Sequence, residues 1–389
     1  MAPPRSSLRW KSPSESRRVT EKIYLVAGEA SGDNHGAALM RALRRRAPDL
    51  QFVGRGGPKM RAIAAGEFRN WVDEAAVVGL WEVIKHYAFF REQFRRTMSE
   101  IAKANPAAVV LIDYPGFNLR LARALRKKFP SLKILYYISP QVWAWNRRRI
   151  MKMGRWLDLM LCIFPFEPVL YNASGLKAVF VGHPMTEEMQ GPADTRDLRL
   201  IGLFPGSRQR EVRKIFPIMR ATASELLRTD FALHFEVAAA SESLAEIIRK
   251  DLRDDAEKFS ITIGGARGLM RRAAVGLVAS GTATLEAALS KLPFVLVYRV
   301  AWLTYLAARV AVRVKYIGMP NVLADREIVP EFIQHEARPR QIALTVKRLL
   351  SDQSERTRML NNFDSVAKKL GSSEATANAA DAIIAELRR

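Results

Sequence analysis

The sequence predicts an α/β chain made of two Rossmann-like domains, with parallel sheets facing a central cleft. Three observations predict this. Short apolar runs recur with helical patterns between them, which implies parallel sheets with helices on both faces. The runs fall into two series, at 23–27, 51–53, 108–112, 133–138, 159–163 and 178–181, then at 200–204, 233–237, 260–263, 276–279 and 294–298. Several runs end in turns of small residues. A joint near 182–196, with His183-Pro184 and the polar Gly191-Pro-Ala-Asp-Thr, separates the series. The expected division is a disordered basic extension at 1–21, a first Rossmann-like domain at 22–185, a second at 186–354, and C-terminal helices at 355–389. Those helices would pack back on the first domain or on a partner subunit. From about Arg340 the apolar residues Ile342, Val346, Leu349 and Leu350, then Ala379, Ile383 and Leu387, repeat at helical spacing.

The first unit of this pattern is Ile23-Tyr-Leu-Val-Ala-Gly-Glu-Ala-Ser-Gly-Asp33 followed by a basic amphipathic segment, 35–46. It reads as a strand, a small-residue turn and a helix. Such a turn aims free backbone N–H groups and the positive helix end at its occupant. Gly28, Gly32 and Gly36 do not have the dinucleotide-binding spacing. Glu29 and Asp33 would repel a pyrophosphate, so a sugar suits Glu29, Ser31, Gly32 and Asp33 better. A plain tight β–α turn is the alternative.

Composition narrows the partners. The 389 residues are 49% hydrophobic and 26% charged, with a formal net charge of +23. Such a charge favours nucleic acid, an anionic lipid surface or a phosphorylated substrate; a general basic bias on solvated helix faces is the alternative. A nucleic-acid binder needs a recognisable module or aromatics spread along a basic groove. Neither is visible, and no nucleic-acid partner is expected. Cys162 is the single cysteine, which excludes a disulfide framework and suits a reducing compartment. The histidines are scattered and no D-x-D pair occurs, so no metal and no cofactor are expected. Residues 1–21 have no apolar core and do not form a secretory signal. An organelle transit peptide is a weaker reading of their Arg- and Ser-rich composition.

No apolar run approaches the ~18 residues that span a bilayer. Two aromatic, basic stretches predict contact with a lipid surface instead. One runs over 77–98, with Trp81, Tyr87, Phe89, Phe90 and Phe94 among arginines. The other runs over 302–316. Burial in a core or a dimer interface is the alternative for both, and is preferred for the second.

Four stretches carry the chemistry. Leu111-Ile-Asp-Tyr-Pro-Gly-Phe-Asn118 ends a strand in a carboxylate, where open α/β sheets bind ligands. Asp113 is the candidate general base, with helix capping as its alternative. Asn118 would bond to substrate or cap the turn. In Ser139-Pro-Gln-Val-Trp-Ala-Trp145, Trp143 and Trp145 stand beside three arginines and predict a substrate wall. In Phe204-Pro-Gly-Ser-Arg208, Gly206 and Ser207 make a turn that can cradle phosphate, and Arg208 adds a fixed positive fork. Ser280-Gly281-Thr282 repeats that turn, and Glu286 follows where a carboxylate can grip a ribose diol. Asn321 in 320–324, and 329–334, read as further loops at the cleft mouth, with Asn321 a candidate nucleotide contact.

With these residues in order, the chain resembles lipid-A-disaccharide synthases. The likeness rests on Ala27-Gly-Glu-Ala-Ser-Gly-Asp33, Gly79-Leu-Trp-Glu-Val83, Ile112-Asp113 with Phe117-Asn118, Ser139 to Trp145, and Phe164-Pro-Phe-Glu167. It continues through Gly182-His183, Pro205-Gly-Ser-Arg208 with Glu211-Val212, Ser280 to Glu286, and Pro320-Asn321. The resemblance implies the B-type glycosyltransferase fold and a metal-independent, inverting transfer. UDP-2,3-diacylglucosamine would give its sugar to 2,3-diacylglucosamine 1-phosphate, forming the β-1,6 disaccharide and UDP. It further implies Asp113 as base, Arg208 as the important arginine, Glu286 as the ribose-binding position and Glu29, Ser31 and Asp33 as substrate loop. An inner-membrane surface on the cytoplasmic side and a homodimer are the implied partners. Many relatives carry Asp where this chain has Gly116, which leaves Asp113 the only carboxylate in its loop. The rivals are a UDP-GlcNAc 2-epimerase-like enzyme, a peptidoglycan-precursor glycosyltransferase, and a non-catalytic lipid-binding scaffold.

Overall fold

The computed structural model describes residues 21–64, 66–72, 87–145, 148–189, 195–252, 257–300, 315–371 and 374–389. The described strands form sheets that are parallel in every pairing described. The chain is therefore α/β with two parallel sheets, as the sequence predicts. It divides into two compact units, one reaching to Ile134 and including Ile384–Arg389, the other Leu135–Ile383.

In the first unit, β1 (Lys22–Ala27), β2 (Gln51–Gly56), β3 (Phe68–Asn70) and β4 (Ala108–Ile112) lie in the order β3-β2-β1-β4. Every residue of β4, and all of β1 after Lys22, is buried, as expected of strands covered on both faces. The chain steps outward from β1 to β3, then returns to place β4 against β1. The strand order reverses there. Register pairs Ala27 with Ile112, so Gly28 and Asp113 leave the sheet side by side. A ligand site is expected at such a reversal.

The helix Tyr87–Ala104 is tied to this sheet by a buried charge. Arg55 is fully buried and donates to Glu100 at 2.8 Å and to Gln93 at 2.7 Å, while the Tyr24 hydroxyl donates to Glu100 at 2.6 Å. An unpaired guanidinium here would be prohibitively costly, so these partners hold the helix in one position. Phe89, Phe90 and Phe94 on this helix are half-buried. Residues 77–86 of the first aromatic stretch and 302–314 of the second lie outside the described residues. No described helix is long and apolar enough to cross a membrane.

The second unit contains β5 (Lys133–Tyr137) from Leu135 on, then β6 (Leu159–Cys162) and β7 (Ala178–Phe180), with β5 on β6 and β6 on β7. It also contains β8 (Asp197–Phe204), β9 (His234–Ala239), β10 (Phe259–Ile263), β11 (Ala273–Ala279), β12 (Phe294–Tyr298) and β13 (Glu331–Ile333), in the order β10-β9-β8-β11-β12-β13. Here the order reverses between β8 and β11, and register pairs Phe204 with Val278. The turns at Gly206 and Gly281 therefore emerge together.

Two stretches read as loops are regular. Residues around Asn321 form the helix Met319–Ala324, opened by Pro320 in its first turn, a position that needs no N–H. Residues 331–333 form the edge strand β13, which pairs with β12. Three residues are too few for a readable alternation, and Pro330 just before the strand reads as a breaker. The same shortness hides β3. The C-terminal helices are Pro339–Ser351, Gln353–Lys369 and Ala375–Leu387. Asp352 caps the second through Ser354 N and Glu355 N. Glu187 caps the third from far back in sequence, accepting from Thr376 N at 2.6 Å and Thr376 Oγ1 at 2.7 Å.

Candidate functional site

At the first reversal, Asp113 and Tyr114 both adopt left-handed backbone conformations, with φ of 47° and 50°. Two consecutive non-glycine residues there store strain, and such strain concentrates at functional sites. The surroundings hold it. Asn118 is fully buried beneath the turn and donates to Asp113 O at 2.7 Å and Ile112 O at 3.2 Å. The Tyr114 ring covers Gly28, where a β-carbon would lie 2.2 Å from it. Trp71 donates to Ala27 O at 2.7 Å, and its ring meets Phe117 and Tyr114 at 5.1 and 6.2 Å. Asn118 thus supports the turn through its amide nitrogen, the second of the two roles its position allows.

Asp113 is half-buried, and burial raises its pKa. The Tyr114 N–H and the charge of a protonated His35 pull the other way. A carboxylate lifted from its ordinary range is a better proton acceptor. His35 lies in the helix Ala30–Arg46 that follows the first turn. Sequence reading passed over it, because a lone histidine on a helix gives no pattern.

The Glu29 to Asp33 loop divides by role. Glu29 and Ser31 are exposed at the helix start; burial, and after it the Glu29 charge, raises the Tyr114 pKa. Gly32 is buried in the first turn. Asp33 is buried, and its carboxylate accepts from Gly57 N, Lys59 N and Met60 N at 2.9–3.0 Å. It holds the start of the helix Pro58–Ile63, a structural role where a substrate contact was expected.

The Trp143 expectation also changes. Trp143 is 6% exposed, donates its indole N–H to Glu167 at 2.9 Å, and packs edge-on against Phe166. Glu167 is fully buried, takes further hydrogen bonds from Ser139 Oγ and from Phe164 N, and has its pKa pushed up to about 7, chiefly by desolvation. Trp143 is therefore an internal post. The Trp145 side chain lies outside the described residues.

At the second reversal two helices open toward the same edge. Arg208 precedes the helix Gln209–Leu227 and Gly281 precedes Thr282–Leu289, and neither start carries a side-chain cap. The first-turn N–H groups are thus available to an anion. Gly206 has φ of 107° and Gly281 has φ of 137°, conformations that favour glycine. Ser207, Gly281 and Thr282 are exposed, and Ser280 is half-buried. The Arg208 side chain is 80% exposed, and its guanidinium donates to Glu211 at 2.9 Å. Tyr298 at the end of β12 feels both charges.

Glu286, half-buried, accepts from Arg267 Nε at 2.8 Å. Asn321 is fully buried and spent within the fold. It accepts from Ile328 N and Val329 N at 2.8 and 2.9 Å and donates to Val329 O and Glu331, both at 2.8 Å. Glu331 also accepts from Gly318 N and Ile317 N. This clamp, which sequence reading could not see, replaces the UDP contact expected of Asn321.

A family model described as lipid-A-disaccharide synthetase matches residues 23–385. A lipid-A-disaccharide synthase from Geobacter sulfurreducens is 37% identical over 367 residues, covering 92% of this chain and 94% of its own. One from Pseudomonas aeruginosa is 37% identical over 380 residues, covering 95% and 98%. Lipid-A-disaccharide synthase 1 of Legionella pneumophila is 35% identical over 376 residues, covering 94% and 97%. Among solved structures, UDP-GlcNAc 2-epimerase from Neisseria meningitidis bound to UDP-GlcNAc superposes with a TM-score of 0.63 at 11% identity, covering 94% of this chain and 100% of its own. CalG4, the calicheamicin glycosyltransferase, gives 0.58 at 14%, covering 95% and 99%. These two likenesses establish the fold, shared by B-type glycosyltransferases and epimerases. The family match over nearly the whole chain, with relatives aligned almost end to end, decides the rest: the chain belongs to the lipid-A-disaccharide synthetase family of glycosyltransferases.

Proposed function

We propose that the chain transfers the sugar of UDP-2,3-diacylglucosamine to the 6-hydroxyl of 2,3-diacylglucosamine 1-phosphate, releasing UDP. The observation that carries this reading is that a strained, partly buried carboxylate marks one strand reversal and two uncapped helix starts mark the other. These are the groups a sugar-nucleotide transfer requires. The Asp113 carboxylate takes the proton of the acceptor 6-hydroxyl as that oxygen attacks the anomeric carbon. The bond from that carbon to the phosphate oxygen breaks on the opposite face, so the configuration inverts in one displacement.

Negative charge then collects on the leaving diphosphate. The N–H groups after Gly206, Ser207, Ser280, Gly281 and Thr282, together with Arg208, stabilise that charge. Their worth is greatest if they bind the transition state more tightly than the donor. Glu286 grips the ribose. Glu29 and Ser31 hold the acceptor sugar. In this assignment residues 22–185 serve the acceptor and 186–354 the UDP-sugar, and the net charge of +23 draws the protein to an anionic membrane surface that presents both lipids. A homodimer belongs to the same reading.

UDP release tests it. Protein in detergent is mixed with UDP-2,3-diacylglucosamine, with and without 2,3-diacylglucosamine 1-phosphate, beside Asp113→Asn. Release that needs the acceptor and collapses in the variant supports the transfer. Release by the wild type without the acceptor points to hydrolysis or epimerase-like chemistry. Absence of release from folded protein removes the reading.

A further inference from the structure

Arg267, in the helix Ala266–Arg272 after β10, joins three elements that are distant in sequence. Its Nε donates to Glu286 Oε1 at 2.8 Å, and a terminal nitrogen donates to Glu188 Oε2. Glu188 belongs to the short helix Met185–Glu188 in the segment between β7 and β8. The preceding residue, Glu187, grips Thr376 N and Oγ1 at the start of the last helix, and nearby His183 N donates to Leu370 O at 2.9 Å. Two successive carboxylates of this linker helix thus hold the C-terminal helix and Arg267.

Glu286 has an electrostatic problem that Arg267 answers. It sits one helical turn beyond the uncapped start at Gly281 and Thr282, where an anion is to bind. A bare carboxylate there would repel a diphosphate. Paired through Oε1 with a guanidinium, its charge is offset and its orientation fixed, and among the described residues no donor meets Oε2. An exposed ion pair of this kind adds little to stability. Its value lies in where it aims Glu286.

We infer that Arg267 is a positioning residue that aims Glu286 at the nucleotide and links it to the linker helix through Glu188. The inference rests on the reading of Glu286 as the ribose-binding carboxylate. Arg267 touches no reacting atom and acts through Glu286.

Calorimetric titration of UDP into the full-length protein tests this, with wild type, Glu286→Ala, Arg267→Ala, Arg267→Lys, Glu188→Gln and the pairwise combinations. Melting temperatures without UDP report folding. Glu286→Ala and Arg267→Ala are each expected to raise the Kd for UDP about tenfold, equivalent to about 1.4 kcal/mol. The double variant should be no weaker than either single one, since both changes remove the same interaction. Glu188→Gln should weaken UDP binding several-fold, and have no effect once Arg267 is alanine. Arg267→Lys keeps the charge but cannot fork between two carboxylates, so it should fall between wild type and Arg267→Ala. Loss of UDP binding in Glu286→Ala alone, with Arg267→Ala and Glu188→Gln unchanged, would overturn the inference and leave the ribose reading standing. An unchanged Kd in Glu286→Ala would remove both. Additive losses that follow the melting temperatures would also overturn it, reducing Arg267 to a structural contact.

Discussion

The indole N–H of Trp143 donates to the buried carboxylate of Glu167 at 2.9 Å, so the Ser139 to Trp145 motif is held from beneath by a group whose pKa is about 7. Further donors, among them Ser139 Oγ and Phe164 N, come from the segments that follow β5 and β6. Desolvation outweighs these donors and keeps the pKa high.

A stability profile against pH reads this directly. The folded pKa of Glu167 is raised, so the folded state holds a proton that the unfolded chain releases at lower pH. The associated stability is full below about pH 4.5 and is lost as pH rises through about 7. The loss amounts to about 3 kcal/mol. Glu167→Gln, which cannot ionise, should lack this slope. The stability difference between wild type and variant, measured by urea unfolding from pH 4 to 8, should therefore shrink as pH rises. A constant difference would show that the Glu167 pKa is the same in the folded and unfolded states.

Asp113→Asn keeps the shape of the turn and removes the base. Turnover should fall by about 10²–10⁴, with the melting temperature little changed. Because burial raises the Asp113 pKa, the acid limb of kcat/KM in the wild type should lie above the ordinary aspartate range. A smaller loss of rate with an unmoved acid limb would assign Asp113 to orienting the acceptor.

Gly28→Ala tests the support of that turn. The new β-carbon would stand 2.2 Å from the Tyr114 ring, and relief requires the strained Asp113-Tyr114 turn to move. Overpacking of this kind costs typically about 1–3 kcal/mol. A lower melting temperature and a fall in kcat are expected together. Adding Tyr114→Ala should restore stability more than it restores activity.

Arg208→Ala separates chemistry from folding at the second turn. The side chain is 80% exposed, so unfolding free energy should shift by no more than about 0.5 kcal/mol. Loss of its charge on the leaving diphosphate should lower kcat by about 10²–10³. Arg208→Lys should recover only part, having one point charge in place of a fork.

Asn321→Ala should behave oppositely. It leaves the N–H groups of Ile328 and Val329 without their acceptor, costing at least about 2 kcal/mol. Thermal stability should fall well before UDP binding does in protein that remains folded.

The sequence alone determined the alternation of apolar runs, turns and helices, because a strand covered on both faces must be apolar throughout and a tight turn must be small. It therefore placed β1, β4, β8 and β11 and the turns at Gly28, Asp113, Gly206 and Gly281, and its motifs identified the family. Tertiary structure decided what those turns face. The reversals between β1 and β4 and between β8 and β11 depend on strand order, which no local pattern encodes. It also decided which polar residues remain available. Asp33, Asn118, Trp143 and Asn321 look in sequence like ligand contacts, yet burial commits them to backbone groups or to Glu167. The converse holds for Glu167, Arg267 and Glu331. Each has a partner 13 to 79 positions away, Trp143, Glu188 and Gly318 respectively, so only the folded chain brings these groups together.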